Sequence, residues 1–481
     1  MKVAEYFQSG MVLQQGAENR IFGEGKDGET VFVTLQKEQE IIQSKKCSVQ
    51  NGKWTLSLDP AAAGNGYTLQ ISNDEQKTIV LDSIAFGDVY LLAGQSNIEF
   101  RLQQEKRFTG KESLNNIRLF AVPQIHYYQN GIGYPSCKAP VWQPANGQSL
   151  PDFSAIGYYI GTILDDLHLP IGLVSCNKGG TSASCWLPEE ILKEDPEIQE
   201  HYLDSYWRDI ADQSDEEEDR KIREYEDVVA CYQKACEQFQ REHPKASRQE
   251  MKQTLGHTPW PGPKGKKDAG RPCGLYQTMF KEIEQVRFKA VIWYQGEEDA
   301  KDGELYERLL KLLINGWRKL LPGKPPFYIV QLPNYAEDQH DKWPLVREAQ
   351  KKMTETLPDC ELVVSLDCGE SYNIHPEDKS VLGKRIGQAI LDTLYLGKSR
   401  KWPALQEVIE EADHTILVFD QPIRVLPNSR GWKQLDAASV QIPADETAYA
   451  YENDPEVFLF TEGDELEPLA PFRIKKEKAC H

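Results

Sequence analysis

The sequence predicts an α/β protein built on an open, largely parallel sheet, with β-rich modules flanking it. The first observation behind this is a set of short apolar runs, each leading to a polar motif. Val89-Tyr90-Leu91-Leu92-Ala93 runs into Gly94-Gln95-Ser96-Asn97, and Ile171-Gly172-Leu173-Val174 into Asn177-Lys178-Gly179-Gly180-Thr181. Ala290-Val291-Ile292-Trp293-Tyr294 runs into Gln295-Gly296-Glu297, and Leu362-Val363-Val364 precedes Ile374-His375-Pro376. Runs without polar alternation read as strands buried on both faces, as in a parallel sheet. The second observation is that helical stretches separate these runs, which is the α/β pattern. The third is that short alternating strands and turn clusters occupy both ends of the chain.

Taken in order, residues 1–82 read as an N-terminal antiparallel β module. Val31-Phe32-Val33-Thr34-Leu35, Trp54-Thr55-Leu56-Ser57-Leu58 and Tyr67-Thr68-Leu69-Gln70-Ile71 alternate, and Asn51-Gly52 and Gly64-Asn65-Gly66 supply turns. Gly23-Glu24-Gly25-Lys26-Asp27-Gly28 matches a dinucleotide-binding pattern by letter, but it precedes a strand instead of opening a helix and reads as a turn. Residues 83–398 form the α/β domain. Its crossover helices are expected at 152–168, with Phe153, Ile156, Tyr159, Ile160, Ile163 and Leu167 as apolar positions, and at 306–321, followed by a strand at 327–330. Residues 190–272 interrupt this pattern. Ser214-Asp215-Glu216-Glu217 has the form of a capping box, and Ile222, Tyr225, Val229, Tyr232, Cys236 and Phe239 recur in steps of three and four. The expectation is an inserted amphipathic helix that packs on the domain surface or on another subunit. A Pro/Gly/Lys-rich return at 260–272 brings Trp260 within reach of the pocket mouth. Residues 399–481 return to strands, at Thr415-Ile416-Leu417-Val418-Phe419 and Val457-Phe458-Leu459-Phe460, and close on a basic tail at 471–481.

Composition limits the function. A chain of 481 residues, 40% hydrophobic and 27% charged, buries one large core plus smaller modules. No stretch approaches the ~20 apolar residues that span a bilayer, and the first residues lack a signal-peptide core. The expectation is a cytoplasmic protein, with a periplasmic or secreted one as the alternative if a signal peptide has been removed. A net charge of −20 argues against nucleic-acid or membrane partners and favours a small, weakly charged substrate. Ten cysteines include no C-x-x-C and no Cys/His spacing suited to zinc, so scattered reduced thiols are expected, with no metal or other cofactor. Cys176 and Cys185 flank Gly179-Gly180, but no base accompanies them. Oligomeric state is left open.

In an open parallel sheet, ligands bind at the carboxyl ends of the strands. One Ser, one His, one backbone Gly and one Gln converge there, and together they suffice for acyl transfer. Ser96 lacks the second Gly of the G-x-S-x-G elbow, and a lone Ser at a strand end is usually a helix cap. Its partners change that reading. Of nine histidines, His375 alone lies in a strand-end loop that leads into a helical run, at 378–391, and is the candidate base. The backbone N–H groups of Ser96 and Gly180 and the side-chain amide of Gln295 are candidate oxyanion donors. Gly179-Gly180 admits a substrate with no side chain in the way. A satisfied core amide is the competing reading of Gln295.

These residues also carry a family resemblance. Gly94-Gln95-Ser96-Asn97, Gly179-Gly180-Thr181 with Trp186, Trp293-Tyr294-Gln295-Gly296-Glu297 and Ile374-His375-Pro376 with Lys379 and Gly383 resemble motifs of the sialate O-acetylesterases. These belong to the SGNH hydrolase superfamily and are related to some acetyl xylan esterases. Met11-Val12-Leu13-Gln14, Phe153-Ser154-Ala155 and Arg347-Glu348-Ala349-Gln350 are similar to further stretches of the family, so the resemblance spans most of the chain. It implies a flavodoxin-like three-layer fold, a metal-free serine esterase mechanism and release of acetate from a sugar. Ser96 is then the nucleophile, His375 the base, and Ser96, Gly180 and Gln295 the oxyanion donors. Many superfamily members place an Asp just before the catalytic His, whereas Tyr372 and Asn373 stand there in this chain. Glu297 is the candidate to orient His375, because related esterases use the glutamate of this motif. Asp367, Glu370 or a backbone carbonyl are alternatives, and so is a Ser–His dyad. Asn97, Trp186 and Arg347 are candidate substrate contacts, with Arg347 either pairing with a sialate carboxylate or forming a salt bridge on a helix. The expected function is removal of O-acetyl groups from sialic acid. Deacetylation of xylan or another glycan is the alternative within the enzyme class. A catalytically silent carbohydrate-binding protein is the alternative outside it, and the retention of Ser, Gly, Gln and His together argues against it.

Overall fold

The structure, a computed structural model, describes residues 1–336, 342–427, 429–463 and 466–475; the end of the expected basic tail lies outside the described residues. The apolar runs become the strands β1 (Thr78–Gly94), β2 (Ile117–Ala121), β3 (Ile171–Asn177), β4 (Ala290–Tyr294), β5 (Phe327–Val330) and β6 (Cys360–Val363). They lie in the order β2-β3-β1-β4-β5-β6, and every neighbouring pair is parallel. Without the edge strand β2 this is a flavodoxin-like order. The chain leaves β1 toward β2 and β3 on one side and then crosses to β4 on the other. The topological switch point therefore lies at the carboxyl end of β1, where Ser96 follows.

The helices are α1 (Ser96–Glu99), α2 (Ala155–Leu164), α3 (Asp215–Glu242), α4 (Arg248–Leu255), α5 (Gly303–Leu320), α6 (Trp343–Thr356) and α7 (Ser380–Ile390). The longer ones flank the sheet, except for two in the insertion, α3 and α4. α2 packs on α7 and α5 on α6. The α2–α7 crossing is close because α7 presents glycine: a Cβ at Gly387 would lie 2.9 Å from the Ile163 Cβ.

The expected domain boundary at residue 82 needs correction. Residues 78–94 form one strand, exposed or alternating as far as Ser83 and buried at every residue from Ile84 on. Its first part pairs antiparallel with the strand Gly64–Asn73, and its second part pairs with β3 and β4. The N-terminal module thus shares a strand with the α/β sheet instead of being linked to it. Val12–Gln14 adds a parallel pairing to Ala85–Gly87, and the Gln14 side chain both donates to Asp88 Oδ1 at 2.7 Å and accepts from Val89 N at 3.0 Å.

The inserted helix α3 is where expected but packs differently. Only Glu218 on it is buried. Its Tyr225 and Tyr232 hydroxyls donate to the carbonyls of Pro259 and Gly256, both at 2.8 Å, so its apolar face is tied to the insertion's own return segment. The Ser214 side chain caps the Glu217 N–H at 3.2 Å, while Glu217 pairs with Lys221 at 3.0 Å, giving half of the expected capping box. The C-terminal region has its own core, including Leu417, Phe419, Trp432, Tyr449 and Phe458. Among the described residues no helix is long and apolar enough to cross a membrane.

Candidate active site

The site forms where β1, β3 and β4 end. Gly94 has a φ of +135°, and a Cβ there would run into the Tyr294 carbonyl, so only glycine lets the neighbouring strands close at this level. The chain then turns into α1, which starts at Ser96, and the Gln95 side chain reaches across to accept from the Gly296 and Glu298 N–H groups at 3.4 and 3.2 Å. From a position 279 residues further along, His375 brings Nε2 to 2.7 Å from Ser96 Oγ. Burial, followed by the nearby Lys252, Lys379, Arg248 and His257, pushes the His375 pKa down to about 3. The imidazole is therefore neutral across the usual pH range and able to accept the hydroxyl proton.

The loop after β3 packs on this pair. A Cβ at Gly179 would sit 3.2 Å from the Ser96 Cβ, and the Gly179 N–H is spent on Glu99 Oε2 at 2.6 Å. Gly180 has a φ of +67°, and a Cβ on it would strike the Trp260 ring. Among the described residues no acceptor takes the N–H of Ser96 or of Gly180. Donors left free beside a nucleophile are what an oxyanion requires.

The remaining expected site residues lie close by but are committed elsewhere. Gln295 is fully buried. Its amide nitrogen donates to the Thr181 carbonyl at 3.1 Å and to Asp299 Oδ2 at 2.6 Å, and its oxygen accepts from the Tyr306 hydroxyl at 3.0 Å. With both amide hydrogens used, it holds the Gly180 loop in place and has none left for an oxyanion. Asn97 is also fully buried: it donates to Glu297 Oε1 at 2.6 Å and to the Ile374 carbonyl at 3.0 Å, and it accepts from Lys379 Nζ at 2.6 Å. It braces the peptide before His375 and cannot contact substrate. Trp186 is buried beneath the loop, its indole donating to Thr181 Oγ1 at 3.2 Å. Arg347, expected near a sialate carboxylate, is fully buried, and its guanidinium donates to four carbonyls: Leu332 at 2.9 Å, Pro333 at 2.5 Å, Glu452 at 2.6 Å and Asn453 at 2.8 Å. It clamps the chain after β5 to the C-terminal region.

None of the acids considered for His375 bonds its ring. Glu297 reaches only Asn97, its Oε2 has no hydrogen-bond partner among the described residues, and burial raises its pKa. Asp367 holds Arg385 through two bonds of 2.8 Å, and Glu370 accepts from Asn373 at 2.9 Å and from the Glu377 N–H at 2.8 Å. Asn373, in the place of the absent Asp, donates to the His375 carbonyl at 2.8 Å and so fixes the backbone instead of the imidazole.

The structure adds residues that the sequence reading missed. Lys252, on α4 of the insertion, donates to Asn373 Oδ1 at 2.6 Å, and Arg248 pairs with Glu377 at 3.1 Å. The insertion therefore borders the His375 loop as well as covering Gly180 through Trp260. Lys379, present in the motif but given no role, lies buried against Asn97, its pKa lowered to about 7 by burial. A wide depression of about 530 Å³, lined in part by Lys342, Tyr451 and Asn453, holds none of Ser96, Gly180 and His375. Among the described residues no group of three or more His, Cys, Asp or Glu side chains is placed to hold a metal ion.

The chain resembles known carbohydrate esterases. A family model described as carbohydrate esterase, sialic acid-specific acetylesterase matches residues 265–392. The sialate O-acetylesterase of Rattus norvegicus is 26% identical over 467 residues, covering 88% of this chain and 80% of the relative. That of Homo sapiens is 24% identical over 421 residues, covering 80% and 69%. A carbohydrate acetylesterase from Xanthomonas citri shares the fold, with a TM-score of 0.72 at 22% identity over 98% of this chain and 99% of that one. Over most of its length the chain is thus similar to sialate O-acetylesterases, and the relatives it resembles are carboxylic ester hydrolases.

Proposed function

We propose that the protein is a serine esterase that removes O-acetyl groups from sialic acid through a Ser96–His375 dyad. The observation that carries the mechanism is the 2.7 Å contact between Ser96 Oγ and a neutral His375 Nε2, with two unpaired backbone N–H groups beside it. His375 takes the hydroxyl proton as Oγ attacks the acetyl carbonyl. The oxyanion forms against the N–H groups of Ser96 and Gly180. Collapse expels the sugar hydroxyl, which takes the proton back from the imidazolium, and leaves an acetyl-Ser96 ester. Water, deprotonated by His375, attacks this ester and releases acetate. Gln295, Asn97 and Lys379 hold the loops around the reacting atoms, and Glu297 reaches His375 only through Asn97 and the Ile374 carbonyl. Sialic acid as the sugar rests on the family match and on the names of the relatives. Acetate release from a panel of O-acetylated sialic acids and acetyl xylan tests the reading. Preferential turnover of the sialic acids supports it, and preference for acetyl xylan replaces it with a glycan acetylesterase. Absence of turnover on every ester, with binding retained, leaves a carbohydrate-binding protein.

A further inference from the structure

The short helix α4 carries two cations that hold the loop of His375 from both ends. Lys252 Nζ donates to Asn373 Oδ1 at 2.6 Å, two residues before His375, and Arg248 pairs with Glu377 at 3.1 Å, two residues after it. The two cations stand at positions i and i+4 and so share one face of the helix. Arg248 also lies over the ring of Phe100, which follows α1, with Cζ 5.7 Å from the ring centroid. These contacts are not a by-product of core packing, because no residue of α4 is buried. The helix keeps its shape through a capping box instead: the Ser247 side chain accepts from the Glu250 N–H at 3.2 Å, and Glu250 Oε2 accepts from the Ser247 N–H at 2.7 Å.

Asn373 passes this hold on to His375. Its oxygen accepts from the His375 N–H at 3.3 Å and its amide nitrogen donates to the His375 carbonyl at 2.8 Å, so one buried side chain grips both backbone polar groups of the base. The same nitrogen donates to Glu370 Oε2 at 2.9 Å. An ammonium only donates and a carboxylate only accepts, so Lys252 and Glu370 at opposite ends of the amide allow it a single orientation. In that orientation both bonds to His375 form, and with the amide reversed neither does. The imidazole depends on this backbone hold because the bonds of Glu297, Asp367 and Glu370 all go elsewhere than to its ring.

We propose that the insertion acts in the reaction through α4, with Lys252 as a positioning residue: by fixing the Asn373 amide it keeps His375 Nε2 on Ser96 Oγ, while Arg248 holds the far end of the same loop. The proposal rests on the Ser96–His375 reading and adds to it what aims the base. A second consequence is electrostatic. The charged groups around His375 are Lys252, Arg248 and His257 from the insertion, Lys379 just before α7, Glu297 after β4, and Glu370 and Glu377 on its own loop. After burial, Lys252 is the largest influence that keeps the imidazole neutral, so the helix that positions the base also holds it in the form that accepts a proton.

Lys252→Met keeps the length of the side chain and removes its charge and its bond, whereas Lys252→Arg keeps both. The two variants and wild type are compared by kinetics on 4-nitrophenyl acetate and on O-acetylated N-acetylneuraminic acid, and by thermal melting. NMR follows the imidazole titration and the amide exchange of His375, assigned with His375→Gln. A loosened base should lower kcat of Lys252→Met roughly 10-fold or more on both esters, with KM within about twofold and most of the loss recovered by Lys252→Arg. The imidazole of Lys252→Met should titrate at a higher pH than in wild type, because a cation that disfavours the imidazolium has gone, and the His375 amide should exchange faster. Lys266→Met removes the same charge elsewhere in the insertion, from an ion pair with Asp215 at 3.2 Å, and should leave kcat within about twofold. A kcat of Lys252→Met within about twofold of wild type overturns the proposal, as does a loss that Lys252→Arg fails to recover. A raised KM confined to the sialate ester also overturns it and makes Lys252 a contact of the substrate carboxylate. The NMR readings need no turnover. Inactive wild type with shifted titration and exchange in Lys252→Met would overturn the esterase reading and keep the hold on His375, and Ser96-dependent hydrolysis unmoved by Lys252→Met would do the reverse.

Discussion

Replacing Gln295 with alanine separates a catalytic amide from a structural one. Its side chain makes hydrogen bonds to the Thr181 carbonyl, Asp299 Oδ2 and the Tyr306 hydroxyl, and none of its surface is exposed. Truncation strands the Thr181 carbonyl and removes one of the two partners of a buried carboxylate oxygen, the other being the Ala183 N–H. The Tyr306 hydroxyl keeps the Gln295 backbone carbonyl. Leaving such groups unpaired costs about 3–5 kcal/mol in all. The unfolding entropy of a chain of 481 residues, at roughly 2.1 cal/mol/K per residue, is about 1 kcal/mol/K, so the melting temperature should fall by ~3–5 °C. Turnover of an acetyl ester should fall as well, since the Gly180 loop loses its tether. Calorimetric melting and steady-state kinetics on one preparation provide both readings. A donor to the oxyanion would behave differently, losing ~10²–10³-fold in kcat with stability intact. A variant that melts within 1 °C of wild type by this ~3–5 °C scale, yet loses turnover to that extent, refutes the structural assignment.

Further outcomes follow from the same contacts. Glu297→Gln keeps an acceptor for Asn97 and touches no ring atom of His375, so kcat/KM should stay within about 5-fold of wild type; a loss of ~10²-fold or more would restore Glu297 to a triad role. His375, depressed to about 3, stays neutral in mild acid, so kcat/KM should hold level from pH 7 to about pH 5, where an imidazole with a pKa near 6.5 would have lost ~30-fold. An acid limb near pH 6.5 contradicts this. The same shift makes the unfolded chain bind a proton that the folded state refuses, so melting temperature should decline as pH falls below about 6.5. Arg347→Met strands several buried carbonyls and should lower the melting temperature by a few degrees on the same roughly 2.1 cal/mol/K per residue scale, while leaving KM unchanged for sialate esters. A raised KM without loss of stability would return Arg347 to the substrate.

The strands and the place of the candidate site were legible because burial on both faces of a parallel sheet writes continuous apolar runs, and the residues that follow those runs face the crevice. Ser96, Gly180 and His375 were candidates there because their residue types stand together at strand ends and in motifs that resemble an esterase family, and the structure brings Ser96 and His375 into contact. The roles of Gln295, Asn97, Trp186 and Arg347 could not be read there. A strand-end polar residue that ties loops together and one that meets substrate have the same letter at the same position, and only the partners tell them apart. Asn97, sandwiched between Glu297 and Lys379, is the clearest case. The contribution of the insertion was hidden for another reason. Lys252 reaches Asn373 across 121 residues of sequence, and no periodicity records such a contact. The sharing of Thr78–Gly94 between two sheets was not legible because Asp82-Ser83, which reads as a break between modules, lies within one continuous strand.

The central claim is that Ser96 carries the acetyl group. Rapid acid quenching of the enzyme during turnover of 4-nitrophenyl acetate, followed by peptide mass spectrometry, tests it directly. The account predicts an acetyl adduct on the peptide that contains Ser96. It also predicts that the adduct is absent from a folded Ser96→Ala variant whose kcat has fallen at least ~10³-fold. An adduct on another side chain, or near-normal turnover by folded Ser96→Ala, would contradict it.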